Sequence, residues 1–111
     1  MIVKAVVCIE DVFNGLDNSS FLSVVNTIPG QAQTSLDIEP LTINLTRLNG
    51  VFVEMVYRPR DTPLVKVFSA GSFKVVYGVN VLIEQGFEQF KLWTQIEPPR
   101  KAMAQSVMNA Y

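Results

Sequence analysis

The chain has 111 residues, of which 49% are hydrophobic and 17% charged, and its nine Lys and Arg residues against ten Asp and Glu residues leave a net charge of −1. This length predicts a single domain over residues 1–111 with one buried core. The sequence has no His and one Cys, which excludes metal sites built on Cys/His clusters and catalytic Ser–His or Cys–His pairs. A charged fraction below the usual value of about a quarter favours a homo-oligomer that hides part of its apolar surface in an interface.

The first residues form an apolar run that predicts a strand. Residues 1–9 are rich in Val and Ile, with apolar residues on both faces, which is typical of a central strand. Cys8 lies within this run, so we interpret it as a buried structural thiol. The run contains Lys4 and lacks a small-residue cleavage site, and no segment reaches the roughly 18 apolar residues of a membrane span. These features predict a cytoplasmic protein without membrane contact.

The middle of the chain predicts further strands. Residues 21–25 form a short apolar segment, and residues 31–39 read as a polar, mobile loop. Residues 41–46 alternate apolar with polar side chains, the pattern of a half-buried strand. Asn49-Gly50 then predicts a type I′ hairpin turn, because both residues tolerate positive φ. The returning strand is predicted over residues 51–57.

The second half begins with a Pro-containing loop at residues 58–63 and a short predicted strand at residues 64–68. Apolar side chains then alternate strictly over residues 73–83, which predicts the longest strand. A turn at residues 84–86 leads to a last predicted strand over residues 87–96. Along that strand Trp93 shares a face with polar neighbours.

Taken together, the strands and turns predict an all-β fold. Five to seven short strands fit a small barrel of the oligonucleotide/oligosaccharide-binding (OB) type or a compact sandwich, which periodicity does not distinguish. Pro98-Pro99 ends the predicted sheet, and residues 98–111 follow as a short C-terminal helix or tail, since Ala102, Met103 and Val107 recur at helical spacing.

No pattern in the sequence predicts catalysis. Gly71, Gly78 and Gly86 are spaced as turn and strand glycines and do not form a phosphate-binding loop. Asp37 and Glu39 read as solvated loop acids, since nothing places them in a common pocket. We therefore expect a protein that is not an enzyme and uses no cofactor and no metal.

Binding of single-stranded nucleic acid fits the aromatic and basic residues better. Such ligands are held by aromatic faces that stack on bases and by Lys and Arg side chains that neutralise phosphates. Tyr77 shares an apolar face and also fits an ordinary core residue, and Trp93 also fits a dimer interface. The candidate nucleic-acid-binding residues are Arg58, Arg60, Lys66, Lys74, Tyr77, Lys91 and Trp93.

A resemblance to a known family points the same way. It is carried by Ala70-Gly71-Ser72-Phe73-Lys74-Val75, followed by Tyr77, Asn80-Val81, Gly86 and Phe90, with Phe52-Val53-Glu54 upstream. These residues resemble the C-terminal strands of the single-stranded-DNA-binding proteins of filamentous phages, the gene V type. The resemblance implies a five-stranded barrel, a homodimer and single-stranded DNA as the partner. It also implies a viral or mobile-element protein in the host cytoplasm.

Two alternatives stay open. The family carries a basic, aromatic hairpin in its first third, whereas residues 21–39 contain no Lys or Arg. Low charge and an apolar composition favour a small viral structural or assembly protein, or a β-domain that binds a protein partner. A sugar- or peptide-binding barrel would use the same aromatic residues. The position of the positive charges distinguishes these readings, because DNA binding needs them in one groove with Trp93 or Tyr77.

Overall fold

The chain folds as an α/β unit on parallel strands. The computed structural model describes Phe13 and residues 16–36 and 38–111. The strands are β1 (Phe21–Asn26), β2 (Asn49–Glu54) and β3 (Ser72–Val76), and the helices are α1 (Gly30–Gln33), α2 (Glu39–Leu45), α3 (Pro63–Ala70), α4 (Gly78–Thr94) and α5 (Arg100–Ala110). Helices separate successive strands, because a parallel connection has to return from one end of the sheet to the other.

The three strands stand in the order β1–β2–β3, so β2 is central. Both pairs are parallel, and Phe52 of β2 lies in register with Val24 on one side and Val75 on the other. Parallel crossovers are right-handed, so strands in sequential order place their crossover helices on one face. The carboxyl ends of the three strands therefore meet at one edge of the sheet.

The core lies between the sheet and α3. Phe52 stacks on Phe68 of α3 with ring centroids 4.1 Å apart, and Phe68 meets Phe73 of β3 edge-on at 5.0 Å. All three rings are buried. Aromatic pairs in these geometries stabilise beyond their buried area, so this trio holds α3 against the two strands.

The opposite face of the sheet is more open. Phe21 and Val25 of β1 are 66% and 60% exposed. They alternate with Leu22 and Val24, which are partly buried against the core. Parallel sheets are normally covered on both faces, so β1 presents apolar surface that the described residues leave uncovered.

The all-β prediction, whether barrel or sandwich, is wrong. Residues 41–46, 64–68 and 87–96, predicted as strands, lie wholly or largely in α2, α3 and α4. Leu41 and Leu45, four residues apart, are both buried, which is the spacing of a helix face. Short apolar runs fit a buried strand and a buried helix equally well, and here packing against the sheet selects the helix.

The longest predicted strand is divided in two. β3 ends at Val76, and Gly78 begins α4. Val79 and Phe87 are buried and Ile83, midway between them, is partly buried. In the sequence, the alternation of Val and Ile hides this four-residue helical spacing. In the fold, the packing of one helix face overrides the β propensity of these residues.

The predicted hairpin turn is also wrong. Asn49 and Gly50 are the first residues of β2, in the middle of the sheet. A Cβ on Gly50 would collide with the carbonyl oxygen of Leu22 in β1. The glycine therefore serves the close approach of two strands.

The remaining predictions have mixed outcomes. β1 and α5 lie where a strand and a C-terminal helix are predicted, whereas the predicted loop at residues 31–39 contains most of α1 and the start of α2. The predicted strand at residues 1–9, the buried thiol of Cys8 and Asp37 fall outside the described residues. Within residues 16–36 and 38–111, no helix is long and apolar enough to cross a lipid bilayer.

Candidate functional site at the carboxyl edge of the sheet

Three segments meet at the carboxyl edge. Residues 27–28 follow β1, residues 55–62 follow β2, and Tyr77 connects β3 to α4. In open α/β sheets, ligands bind in the crevice outside the carboxyl ends of the strands. Ile28 and Tyr57 present exposed apolar side chains on these segments. This edge is the candidate site.

A fully buried carboxylate lies beneath the edge, at the end of β2. The oxygens of Glu54 accept hydrogen bonds from Asn26 Nδ2 (3.0 Å to each oxygen), Gln33 Nε2 (3.3 Å), Thr62 Oγ1 (2.7 Å) and the Val56 N–H (2.9 Å). A buried carboxylate needs donors of this kind to offset the loss of water. All four donor groups are uncharged, so hydrogen bonds from neutral groups offset the loss of hydration of the carboxylate.

The same side chains hold the segment after β1. The Asn26 Oδ1 accepts the Ile28 N–H at 3.0 Å, and the Gln33 Nε2 donates to the Ile28 carbonyl oxygen at 2.9 Å. The Gln33 Oε1 also accepts the Leu64 N–H at 3.2 Å, in the first turn of α3. Both backbone polar groups of Ile28 are therefore satisfied by residues that contact Glu54.

The start of α4 packs directly on the segment after β2. A Cβ on Gly78 would collide with the carbonyl oxygen of Val56. Only a residue without a side chain lets the helix begin this close to the neighbouring backbone. The three segments at the carboxyl edge thus form one connected structure.

Three of the predicted nucleic-acid-binding residues lie at this edge. The guanidinium carbon of Arg60 lies 4.1 Å from the ring centroid of Tyr77, within the range of a cation–π contact. The Arg60 Nη1 also lies 3.6 Å from the Asp61 carboxylate. The Arg58 Nη2 donates to the carbonyl oxygen of Ala110, at the end of α5, at 2.6 Å.

The other four predicted residues lie elsewhere. Lys66 is exposed on α3, and Lys74 is exposed on the sheet face opposite the one that α3 covers. Lys91 and Trp93 lie near the end of the 17-residue α4. At 1.5 Å per residue they are roughly 20 Å along the helix axis from its start. The seven residues do not line one groove.

Lys91 has an acidic partner of its own. Its Nζ lies 2.6 Å from the Glu97 Oε1, and both side chains are exposed. The hydrogen bond and the charge of Glu97 raise the pKa of Lys91, and Lys91 in turn lowers the pKa of Glu97. Trp93 is 75% exposed.

The fold and this edge define an α/β protein with a parallel sheet, and comparison with known proteins shows which proteins it is similar to. Residues 78–108 match the family described as the Shikimate 5'-dehydrogenase C-terminal domain. The NADP(+) shikimate dehydrogenase of Methanosarcina barkeri is 38% identical over 97 residues, which cover 87% of this chain and 32% of that enzyme. The chain therefore spans about a third of the length of this relative.

Two solved structures share the fold. The dehydroquinate dehydratase and shikimate dehydrogenase part of AroM from S. pombe gives a TM-score of 0.64 at 34% identity, over 82% of this chain and 18% of that one. The quinate dehydrogenase from Corynebacterium glutamicum, in complex with NAD, gives 0.65 at 28% identity, over 91% and 34%. The chain thus resembles one part of these dehydrogenases.

These similarities correct the functional predictions. The relatives are oxidoreductases, so the prediction of a protein that is not an enzyme is wrong. The resemblance to filamentous-phage proteins, the viral origin and the single-stranded-DNA partner are wrong for the same reason. The alternative, a viral structural or protein-binding β-domain, is also wrong, because the fold is not all-β. Of the residues that carried the phage resemblance, Asn80-Val81, Gly86 and Phe90 lie in α4, which is a helix and not a strand.

The residues around Glu54 were missed at the sequence level. One local signal was present: Thr62-Pro63 precedes an apolar run, and a Thr followed by Pro at the first helical position is a helix start. Reading it would have placed α3 correctly. No local signal connects Asn26 and Gln33 to Glu54, because 28 and 21 residues separate them in the chain.

Proposed function

We infer that this chain is the carboxyl-terminal part of a cytoplasmic NADP(H)-dependent oxidoreductase that acts on shikimate or a closely related cyclic hydroxy acid. The observation that carries the proposal is the match of residues 78–108 to the shikimate 5'-dehydrogenase C-terminal domain. These residues form α4 and α5, and α4 begins at the candidate site. The identity to an NADP(+)-dependent relative supports the choice of cofactor.

The described residues fit one end of a dinucleotide. Ile28 and Tyr57 offer exposed apolar surface on which a flat ring can pack, and apolar lining of this kind is typical of cofactor sites. A bound nicotinamide supplies reversible hydride transfer to and from an alcohol carbon. In this proposal the two side chains orient the ring and keep water from it.

The phosphates of the cofactor need a different part of the protein. The 111 residues contain no G-x-G-x-x-G turn, the motif that receives a pyrophosphate at a helix N-terminus. The relatives are about three times as long as the matched region, which leaves room for that motif outside this chain. The exposed Phe21 and Val25 give such a neighbour an apolar surface to cover.

An assay of the complete protein that carries this chain tests the proposal. Shikimate and quinate are each offered with NADP+ and with NAD+, and formation of the reduced cofactor is followed by absorbance. We expect turnover of shikimate with NADP+. Absence of turnover in all four combinations would overturn the proposal.

Two isoleucines provide a matched pair of variants. Ile28 lies at the candidate site, whereas Ile96, also exposed, lies just after α4. Ile28→Glu replaces the apolar surface on which the flat ring packs by a hydrated carboxylate, so we expect the KM for NADP+ to rise by about tenfold or more, which corresponds to ~1.4 kcal/mol. Ile96→Glu should leave it unchanged. Equal KM values for the two variants would contradict the assignment of Ile28.

A further inference from the structure

The chemistry of the Glu54 environment is unusual for a structural contact. The carboxylate is completely buried at the end of the central strand, and each of its hydrogen-bond donors is neutral. Replacing a buried charge by apolar residues often leaves stability unchanged or higher. Burial of a charge here is therefore poorly explained by stability alone, and the geometry of the surrounding backbone suggests what it does.

Glu54 controls the backbone of two segments at the carboxyl edge. It binds the Val56 N–H directly through Oε1. Through Asn26 and Gln33 it also fixes both the N–H and the carbonyl oxygen of Ile28. Ile28 and the residue after Val56, Tyr57, carry the apolar side chains of the candidate site.

The position of the third segment, at the start of α4, depends on the segment after β2. Gly78, the first residue of α4, packs on the carbonyl oxygen of Val56. A displacement of Val56 therefore moves the start of α4 and Tyr77 before it. One carboxylate thus sets the relative positions of the segments after β1, β2 and β3.

We propose that Glu54 is a positioning residue for the oxidoreductase reaction: its carboxylate holds Ile28, Val56 and the start of α4 in the arrangement that receives the cofactor and the hydroxy acid. The inference rests on the proposed function. Glu54 itself touches neither reactant, because it is fully buried. Its effect is transmitted through the backbone that it binds.

Glu54→Gln is the central variant. The glutamine keeps the shape of the side chain but replaces one acceptor oxygen by an amide nitrogen that faces donors. Glu54→Asp keeps both acceptor oxygens on a side chain one methylene shorter, so it should restore part of the function. Leu45→Ala is the control, since Leu45 is buried in α2 and its carbonyl oxygen lies beside Gly71, at the opposite, amino edge of the sheet.

The first measurement is steady-state kinetics of the complete protein at a temperature where every variant is folded. We expect Glu54→Gln to lower kcat/KM by about a hundredfold, the size of effect that small misplacements of binding groups produce. Glu54→Asp should fall between Glu54→Gln and the wild type. Leu45→Ala should lower the melting temperature and keep kcat/KM. A Glu54→Gln protein with wild-type kcat/KM would overturn the proposal.

The second measurement does not depend on activity. Amide hydrogen exchange reports local opening, and the N–H groups of Ile28 and Val56 are bonded within this network. We expect both to exchange faster in Glu54→Gln than in Leu45→Ala at matched global stability, by about tenfold. Unchanged exchange at these two residues would overturn the positioning role.

The two hypotheses fail in different ways. A wild-type protein without activity towards any of the four substrate and cofactor pairs overturns the proposed function, and with it the assignment of a reaction to Glu54. Faster exchange at Ile28 and Val56 would then still show that the carboxylate holds the carboxyl edge. Active wild-type protein with an unaffected Glu54→Gln variant overturns the positioning role alone.

Discussion

The hydroxyl of Thr62 donates to the Glu54 Oε2 at 2.7 Å, while its oxygen accepts the Val65 N–H at 3.2 Å. One side chain therefore caps α3 and satisfies a buried carboxylate at the end of β2. Pro63 follows as the first residue of the helix, where its missing N–H costs nothing. The start of α3 and the hydrogen bonds of Glu54 beneath the candidate site therefore both depend on Thr62.

Replacing Thr62 by Val keeps the shape of the side chain and removes both hydrogen bonds. Loss of the helix cap and of a donor to a charged acceptor should lower the free energy of unfolding by about 2–4 kcal/mol. Thr62→Ser retains the hydroxyl and should stay close to the wild type. Urea unfolding of the two variants measures the difference, and equal stabilities would contradict this account of Thr62.

Two glycines of α4 should respond to alanine in opposite directions. A Cβ on Gly78 collides with the Val56 carbonyl oxygen, whereas a Cβ on Gly86 has the Met103 Cε at 3.9 Å as its nearest neighbour. We expect Gly78→Ala to destabilise the protein by about 1–3 kcal/mol through overpacking. Gly86→Ala should stabilise it by up to about 1 kcal/mol, because alanine is the better helix former. Thermal melts of both variants test the pair.

Arg58 should hold the end of the C-terminal helix. Its hydrogen bond to the Ala110 carbonyl oxygen is exposed, so Arg58→Ala should cost at most about 1 kcal/mol in global stability. The local effect is larger, since the last turn of α5 loses a partner for one of its free carbonyl groups. Amide exchange over residues 105–110 should accelerate in Arg58→Ala and not in Lys101→Ala. Identical exchange in the two variants would show that the contact does not anchor the helix.

The Lys91–Glu97 ion pair should make the stability of the fold depend slightly on pH. Because the pKa of Glu97 is lowered from 4.5, its contribution to stability is present above that value and is lost as the pH falls through the lowered pKa. The pKa of Lys91 is raised from 10.5. Its contribution to stability is therefore fully present below 10.5 and is lost as the pH rises through the raised pKa. Glu97→Gln should flatten the melting temperature against pH at the acidic end. The difference should vanish in molar salt, because both groups are exposed.

Trp93 should contribute little to folding. It is 75% exposed, so Trp93→Ala should change the free energy of unfolding by no more than about 0.5 kcal/mol. Phe52 is completely buried and stacked on Phe68, and Phe52→Ala should cost about 3–5 kcal/mol. Circular-dichroism melts of both variants make the comparison. A large loss of stability in Trp93→Ala would show that it packs against part of the protein beyond the described residues.

Part of the fold was accessible to local reasoning. The apolar segment at residues 21–25, predicted as a strand, lies in β1. Ala102, Met103 and Val107, whose spacing predicted a helix, lie in α5. The candidate site was accessible only in fragments: Arg58, Arg60 and Tyr77 were selected for their chemistry and do lie at the carboxyl edge. Their predicted ligand was wrong, because the same aromatic and basic residue types serve many kinds of site.

By itself, the sequence determined the strand at β1, the proline-containing loop before α3 and the helix α5, because side-chain periodicity and the restrictions of proline act over a few residues. Only the tertiary structure decided that residues 41–45, 64–68 and 79–87 are helical. Their apolar residues satisfy both periods, and burial of one face against the sheet makes the choice. Only the tertiary structure could also assemble Asn26, Gln33 and Thr62 around Glu54. That network brings to Glu54 residues up to 28 positions away in the chain, which meet it only once the parallel strands have paired.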